Sequence, residues 1–163
     1  MPTTDHDNEE VEEMYDKIEK IMDKEKGCSN LIIMGNFNAS IGERNDDENG
    51  SKVIGKYGLG KRNDRGQMLV DFCIKRQLIV TNTWFQQEIK DDILAKSLKI
   101  LEVPKLIDYI PVKYRYKNSV KCCKSYPGAD TFTDHKLVAM QMSVKLKILQ
   151  REKKKLKWDV ERL

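Results

Sequence analysis

The sequence predicts an α/β fold, and three observations predict it. Two segments, Asn8 to Lys26 and about Asp64 to Arg76, carry apolar residues at helical spacing. Short apolar runs of strand length, Leu31-Ile32-Ile33-Met34 and Leu78-Ile79-Val80-Thr81, lie beside them. Near the other end, Leu137 to Val144 alternates in the two-residue period of a strand.

The first helix presents Val11, Met14, Tyr15, Ile18, Ile21 and Met22 on one face, opposite Glu and Lys, and Gly27 is a natural stop. Leu31–Met34, ending at Gly35, is short and continuously apolar, which predicts a strand buried on both faces. Ala39 to Lys61 reads as a long glycine-rich loop, of the kind that is functional or poorly ordered. Asn63 is placed to cap the second helix, whose inner face carries Met68, Leu69, Phe72 and Cys73. Leu78–Thr81 is a further strand. Phe85 to Pro104 mixes charges with isolated apolar residues and predicts no single element. Leu106 to Val112 reads as a strand with Ser119 to Ser125 as its hairpin partner, and a last helix is expected from about Lys145.

With 163 residues, 39% hydrophobic and 34% charged, the chain suits one domain with a modest core. No apolar run approaches the ~18–20 residues of a membrane span. The acidic start lacks a hydrophobic signal core, so a nuclear or cytoplasmic protein that is not secreted is expected. The cysteines, Cys28, Cys73, Cys122 and Cys123, form no C-x-x-C pair, and adjacent strand cysteines face opposite ways, so reduced thiols are expected. The net charge of +4 is unevenly spread, acidic from Asp5 to Glu25 and basic at Lys145, Lys147, Arg151, Lys153, Lys154, Lys155 and Lys157. That tail is either a solvated helix or a contact for a phosphate backbone.

Three elements could carry chemistry. Gly35-Asn36-Phe37-Asn38 follows the first strand, placing Asn36 and Asn38 on one side and Phe37 on the other. The amides there either hold a ligand at a strand's carboxyl end or simply make a turn. Asp108, inside Ile107-Asp108-Tyr109-Ile110, is costly to bury and needs a partner or a strand end in water. Thr133-Asp134-His135, with Asp130 nearby, offers a histidine and carboxylates suited to general-base work, or a cap.

Taken together, in this order, the three elements resemble the endonuclease/exonuclease/phosphatase superfamily, whose members typically show Gly-Asp-x-Asn, a later strand Asp and Ser-Asp-His. The flanking residues Gly58-Leu59-Gly60-Lys61-Arg62-Asn63-Asp64-Arg65-Gly66, Asn82-Thr83 and Pro127-Gly128-Ala129-Asp130 are closer still to retrotransposon (LINE-type) endonucleases and the craniofacial development protein 2-like group. The resemblance runs from about Asp5 to Leu149 and covers the C-terminal half of such a domain. It implies half of a two-sheet α/β sandwich over residues 1–146, followed by a basic tail at 147–163. It also implies Mg²⁺-dependent phosphodiester hydrolysis, with DNA as partner. His135 then takes the proton from water, Asp108 orients it, Asp134 lies beside the metal, and Asn38 holds the phosphate or the water.

Two departures weaken that chemistry. Asn36 stands where the family has Asp, with an amide's NH₂ in place of one acceptor and no negative charge. Loss of such a charge commonly costs ~10²–10⁴ in rate. The metal-binding Glu of the family's first half has no counterpart here, so weak or absent Mg²⁺ binding and impaired cutting are expected. A half-sandwich also exposes an apolar sheet face that self-association or a partner would cover. The alternative is a non-catalytic module that binds nucleic acid or protein.

Overall fold

The computed structural model describes residues 1, 7–25, 30–44, 50–87, 106–126 and 137–145. Its elements are α1 (Asn8–Lys24), β1 (Gly35–Asn36), α2 (Gly50–Val53), α3 (Asp64–Lys75), β2 (Leu78–Val80), β3 (Asp108–Tyr109), β4 (Pro111–Lys113), β5 (Val120–Tyr126) and β6 (Leu137–Met142). Single 3₁₀ turns follow β2 at Thr81–Trp84 and β4 at Tyr114–Ser119. Helices combined with small antiparallel sheets make this the α/β fold the periodicities predict.

The organising strand is β2, all three of whose residues are buried. Leu78 and Val80 join one core with Val11, Tyr15 and Met22 of α1 and Leu69, Val70, Phe72 and Cys73 of α3. Ile79, pointing the other way, joins a second core with Val112, Val120 and Cys123, against which Val138 and Met140 of β6 pack. Alternation along one strand thus separates a helical layer from the β5–β6 hairpin layer. At ~1.5–3 kcal/mol for each fully buried aliphatic side chain, these two cores are the main stabilising term. Tyr15 and Phe72 tie the helices together, their ring centroids 4.8 Å apart.

Leu106–Val112 is predicted as one strand, and the chain there is extended, with residues 32–36 along one side and β2 joining the other only from Pro111. Upstream, β3 pairs with β1; downstream, β4 pairs with β2. An isolated bridge between Ile32 and Val112 continues the β1–β3 register. The expected hairpin between this strand and Ser119–Ser125 does not form, because β5 pairs with β6 across six residue pairs instead. Leu31–Met34 is only half-buried, with Leu31 and Ile33 packed against one core and Ile32 against the other. It runs along the outer side of β4, whose inner side β2 occupies, and Met34 is 69% exposed.

Two further expectations are corrected. Within the predicted loop, Ala39, Ile41, Val53 and Ile54 are core residues and α2 is a short helix. Ile21, assigned from its spacing to the apolar face of α1, is exposed. The helix stop at Gly27, the segment Phe85–Pro104 beyond Gln87, and the tail beyond Lys145 lie outside the described residues. Lys145 itself is not helical. Among the described residues no helix is long and apolar enough to cross a membrane, and Cys73, Cys122 and Cys123 are free thiols.

Asn63 caps α3 as its sequence position predicts. Its Oδ1 accepts from Gly66 N at 2.8 Å and from Ser40 N at 3.0 Å, joining the helix start to the chain leaving β1. The approach is close: a Cβ on Gly66 meets Ser40 O at 1.8 Å. Asn63→Ala is expected to lower stability by about 1–2 kcal/mol, and Gly66→Ala by more, as measured by urea denaturation.

Candidate functional site

The two strand-end elements singled out from sequence meet in space. Asn36 of β1 lies directly across from Asp108 of β3, and Gly35 across from Tyr109. The chain then turns sharply. Asn36 Oδ1 accepts from Asn38 N at 2.7 Å, and Asn38 adopts φ +47°, a left-handed conformation that Asn tolerates better than most side chains. Asn38 therefore does not continue the strand on Asn36's side, as strict alternation predicts. Phe37 is buried, its ring 6.3 Å from that of Tyr109. Asn38 Nδ2 donates to Met1 O at 3.3 Å, and the Met1 amino group donates to Asn36 O at 3.0 Å.

Asp108 is half-buried and makes further polar or electrostatic contacts of its own. Its backbone is fixed from behind by a residue to which the sequence analysis gave no role. Asn82, fully buried, donates through Nδ2 to Asp108 O at 3.0 Å and accepts through Oδ1 from Ile110 N at 2.9 Å. One amide side chain thus does the work of a neighbouring strand where β3 gives way to β4. Thr81 assists by donating Oγ1 to Ile110 O at 2.6 Å. Gln87 anchors the same turn to β5, donating to Cys123 O at 3.2 Å and accepting from Ser125 N at 2.8 Å. An Asn-Thr pair after an apolar strand is ordinary turn chemistry, and it is the burial of Asn82 that marks it out.

Tyr109 supports the cleft from below. Its hydroxyl donates to Leu106 O at 2.6 Å and accepts from Ile41 N at 3.3 Å, and burial pushes its pKa up to about 12. Met34, Gly35, Asp108, Ile110, Leu137 and Val138 wall an open cleft of about 330 Å³. Its rim is apolar and exposed at Met34 and Leu137. Burial also raises the Cys123 thiol, against a hydrogen bond from Thr81.

Of the predicted site residues, the structure therefore brings Asn36, Asn38 and Asp108 together. Asp134 and His135 lie outside the described residues, as do Lys147, Arg151, Lys153, Lys154, Lys155 and Lys157, while Lys145 is exposed.

Over 153 residues, 91% of its length, the chain is 32% identical to craniofacial development protein 2 of Bos taurus, and equally so to that of Tragulus javanicus. It is similar to craniofacial development protein 2. The chain spans only about a quarter of those relatives, 24% and 25% of their lengths. No family model and no solved structure matches it.

Two outcomes test this construction. Asn82→Ala leaves a buried N–H and carbonyl without partners and is expected to cost about 2–4 kcal/mol in chemical denaturation. For Tyr109, the folded pKa lies above the unfolded value of 10.0, so its stabilisation is complete below pH 10. It declines as pH rises from there towards 12, because only the unfolded chain then releases the proton. Tyr109→Phe is expected to flatten this alkaline decline, read as Tm against pH.

Proposed function

We propose that this chain is the C-terminal portion of an endonuclease/exonuclease/phosphatase-type domain of retrotransposon descent, with Mg²⁺-dependent phosphodiester cutting strongly reduced or lost. The observation that carries the reading is the cross-strand pairing of Asn36 with Asp108. The resemblance requires the Gly-Asp-x-Asn turn and the strand acid to share one cleft, and here they are direct neighbours. Similarity to craniofacial development protein 2 over most of the chain supports the same assignment.

In this reading Asp108 orients His135, which accepts a proton from the attacking water, while Asn38 positions the phosphate. Asp134 and the family's Asp position, here Asn36, belong to the Mg²⁺ site. The described donors do not fit that ion. Mg²⁺ favours octahedral oxygen coordination with carboxylate help, whereas Asn36 is uncharged and its Oδ1 already accepts the Asn38 N–H. Among the described residues no group of three or more His, Cys, Asp or Glu is arranged to hold a metal. No hydrolytic step is therefore routed through one.

The role Asn36 does perform, closing a turn, needs no charge. That favours a second reading, a module that holds nucleic acid or protein without cutting it. Lys145 and the basic residues after it would meet DNA, and a partner or second copy would cover the apolar rim at Met34 and Leu137.

A plasmid-nicking assay with Mg²⁺ separates these readings. Asn36→Asp in this 163-residue polypeptide is expected not to recover the ~10²–10⁴-fold that loss of a catalytic charge costs, because the family's metal-binding Glu still has no counterpart in it. Clear nicking by that variant overturns the account of the site. Any residual nicking by the parent is expected to vanish in His135→Ala. DNA affinity is expected to fall with salt, less steeply after deletion from Lys145 onward.

A further inference from the structure

A second cavity lies at the opposite end of the β2–β4 ladder from Asp108, where Leu78 pairs with Lys113. Its volume is about 370 Å³, within the roughly 300–1,000 Å³ typical of small-ligand pockets. Val53, Cys73, Ile74 and Leu78 give it apolar walls, Gln77 contributes an amide, and Lys52 and Tyr114 complete the lining. It shares no lining residue with the cleft at Asp108.

The segment that supplies Tyr114 is cationic. The segment Lys113-Tyr114-Arg115-Tyr116-Lys117 alternates basic and aromatic residues, and with Lys121 and Lys124 it carries five positive charges. No Asp or Glu occurs between Asp108 and Asp130. Lys117 Nζ accordingly sits 4.3 Å from the Tyr114 ring centroid and donates to its hydroxyl at 2.8 Å. Arg115 lies over the Tyr116 ring at 5.0 Å. The Tyr114 hydroxyl feels this field: its pKa is lowered, chiefly by the Lys117 hydrogen bond and charge, with Lys52 adding to it. No carboxylate lines the cavity.

We propose that this cavity receives a base of a single-stranded nucleic acid, with the flanking phosphates held by Lys52 and by Lys117 beside Tyr114. An apolar slot beside an aromatic ring suits the face of a base, and the Gln77 amide can both donate to and accept from a base edge. The interleaved cations suit the phosphodiester chain on either side. A duplex keeps its base faces stacked and cannot fill the slot. An acidic peptide offers the charge without the flat apolar group. This site is independent of the phosphodiesterase reading, since no residue of that cleft takes part.

The test is fluorescence anisotropy on the full chain with labelled oligothymidylate, oligouridylate and a duplex of equal length. The residues from Lys145 onward attract any polyanion, so the decisive quantity is the effect of each substitution on strand compared with duplex. Tyr114→Ala is expected to weaken single-strand binding by about tenfold or more, as loss of base stacking does. Tyr114→Phe, which keeps the ring, is expected to stay near the parent, and duplex binding to change little. Lys52→Glu, an exposed replacement, is expected to weaken binding and flatten its salt dependence. A Tyr114 effect with either oligonucleotide supports the proposal. A folded Tyr114→Ala that binds the strand as tightly as the parent overturns it, as does an equal loss on duplex. Should that variant not fold, unchanged affinity in Lys52→Glu overturns it alone.

Discussion

The buried amide of Asn82 is the interaction on which the rest of the arrangement depends. Residues 32–36 run beside this stretch on one side throughout, but β2 ends at Val80, so upstream of Pro111 the backbone at Asp108 and Ile110 has no strand on its other side. A peptide group left unpaired inside a protein is expensive, roughly 1–3 kcal/mol for each donor or acceptor stranded. Asn82 reaches both groups with one planar side chain, and Thr81 and Gln87 hold its own turn in place. Asp108 thereby faces the cleft while Tyr109 reaches the helical core and Ile110 the hairpin core.

Much of this fold was legible in the sequence, because its signals are local. Helical spacing and the capping Asn63 located α3, Asp7 closes the start of α1, and strict alternation located β6. Partner choice was not legible. Which strand Leu106–Val112 would join depends on contacts made far along the chain, and β5 reads equally well beside β4 or β6. Full burial of Leu31–Met34 failed for a related reason: the same apolar run suits a central strand and the outer lane beside β4. Ile21 shows that spacing assigns a face without fixing how far that face extends.

The candidate site divides in the same way. Asn36, Asn38 and Asp108 stand out as polar residues at apolar strand ends, and the backbone pairing places them together. Asn82 carried no such contrast, since an Asn after a strand is common turn chemistry and only its burial reveals its task. The Asn36 side chain is the more instructive case. In the resembling enzymes that position owes its importance to charge; in this chain its oxygen is committed to a neighbouring N–H. A residue kept for geometry can outlast the reaction that first required it, because the turn still needs an acceptor.

The alternating allegiance of successive residues from Asp108 to Lys113 has a consequence for how this stretch can vary. Because neighbouring side chains serve different layers, gaining or losing a single codon here would send every subsequent side chain to the wrong side. Substitution is tolerable where size is kept, but length is not negotiable. This short ribbon therefore acts as a frame marker, fixing the chain's phase for both halves of the molecule.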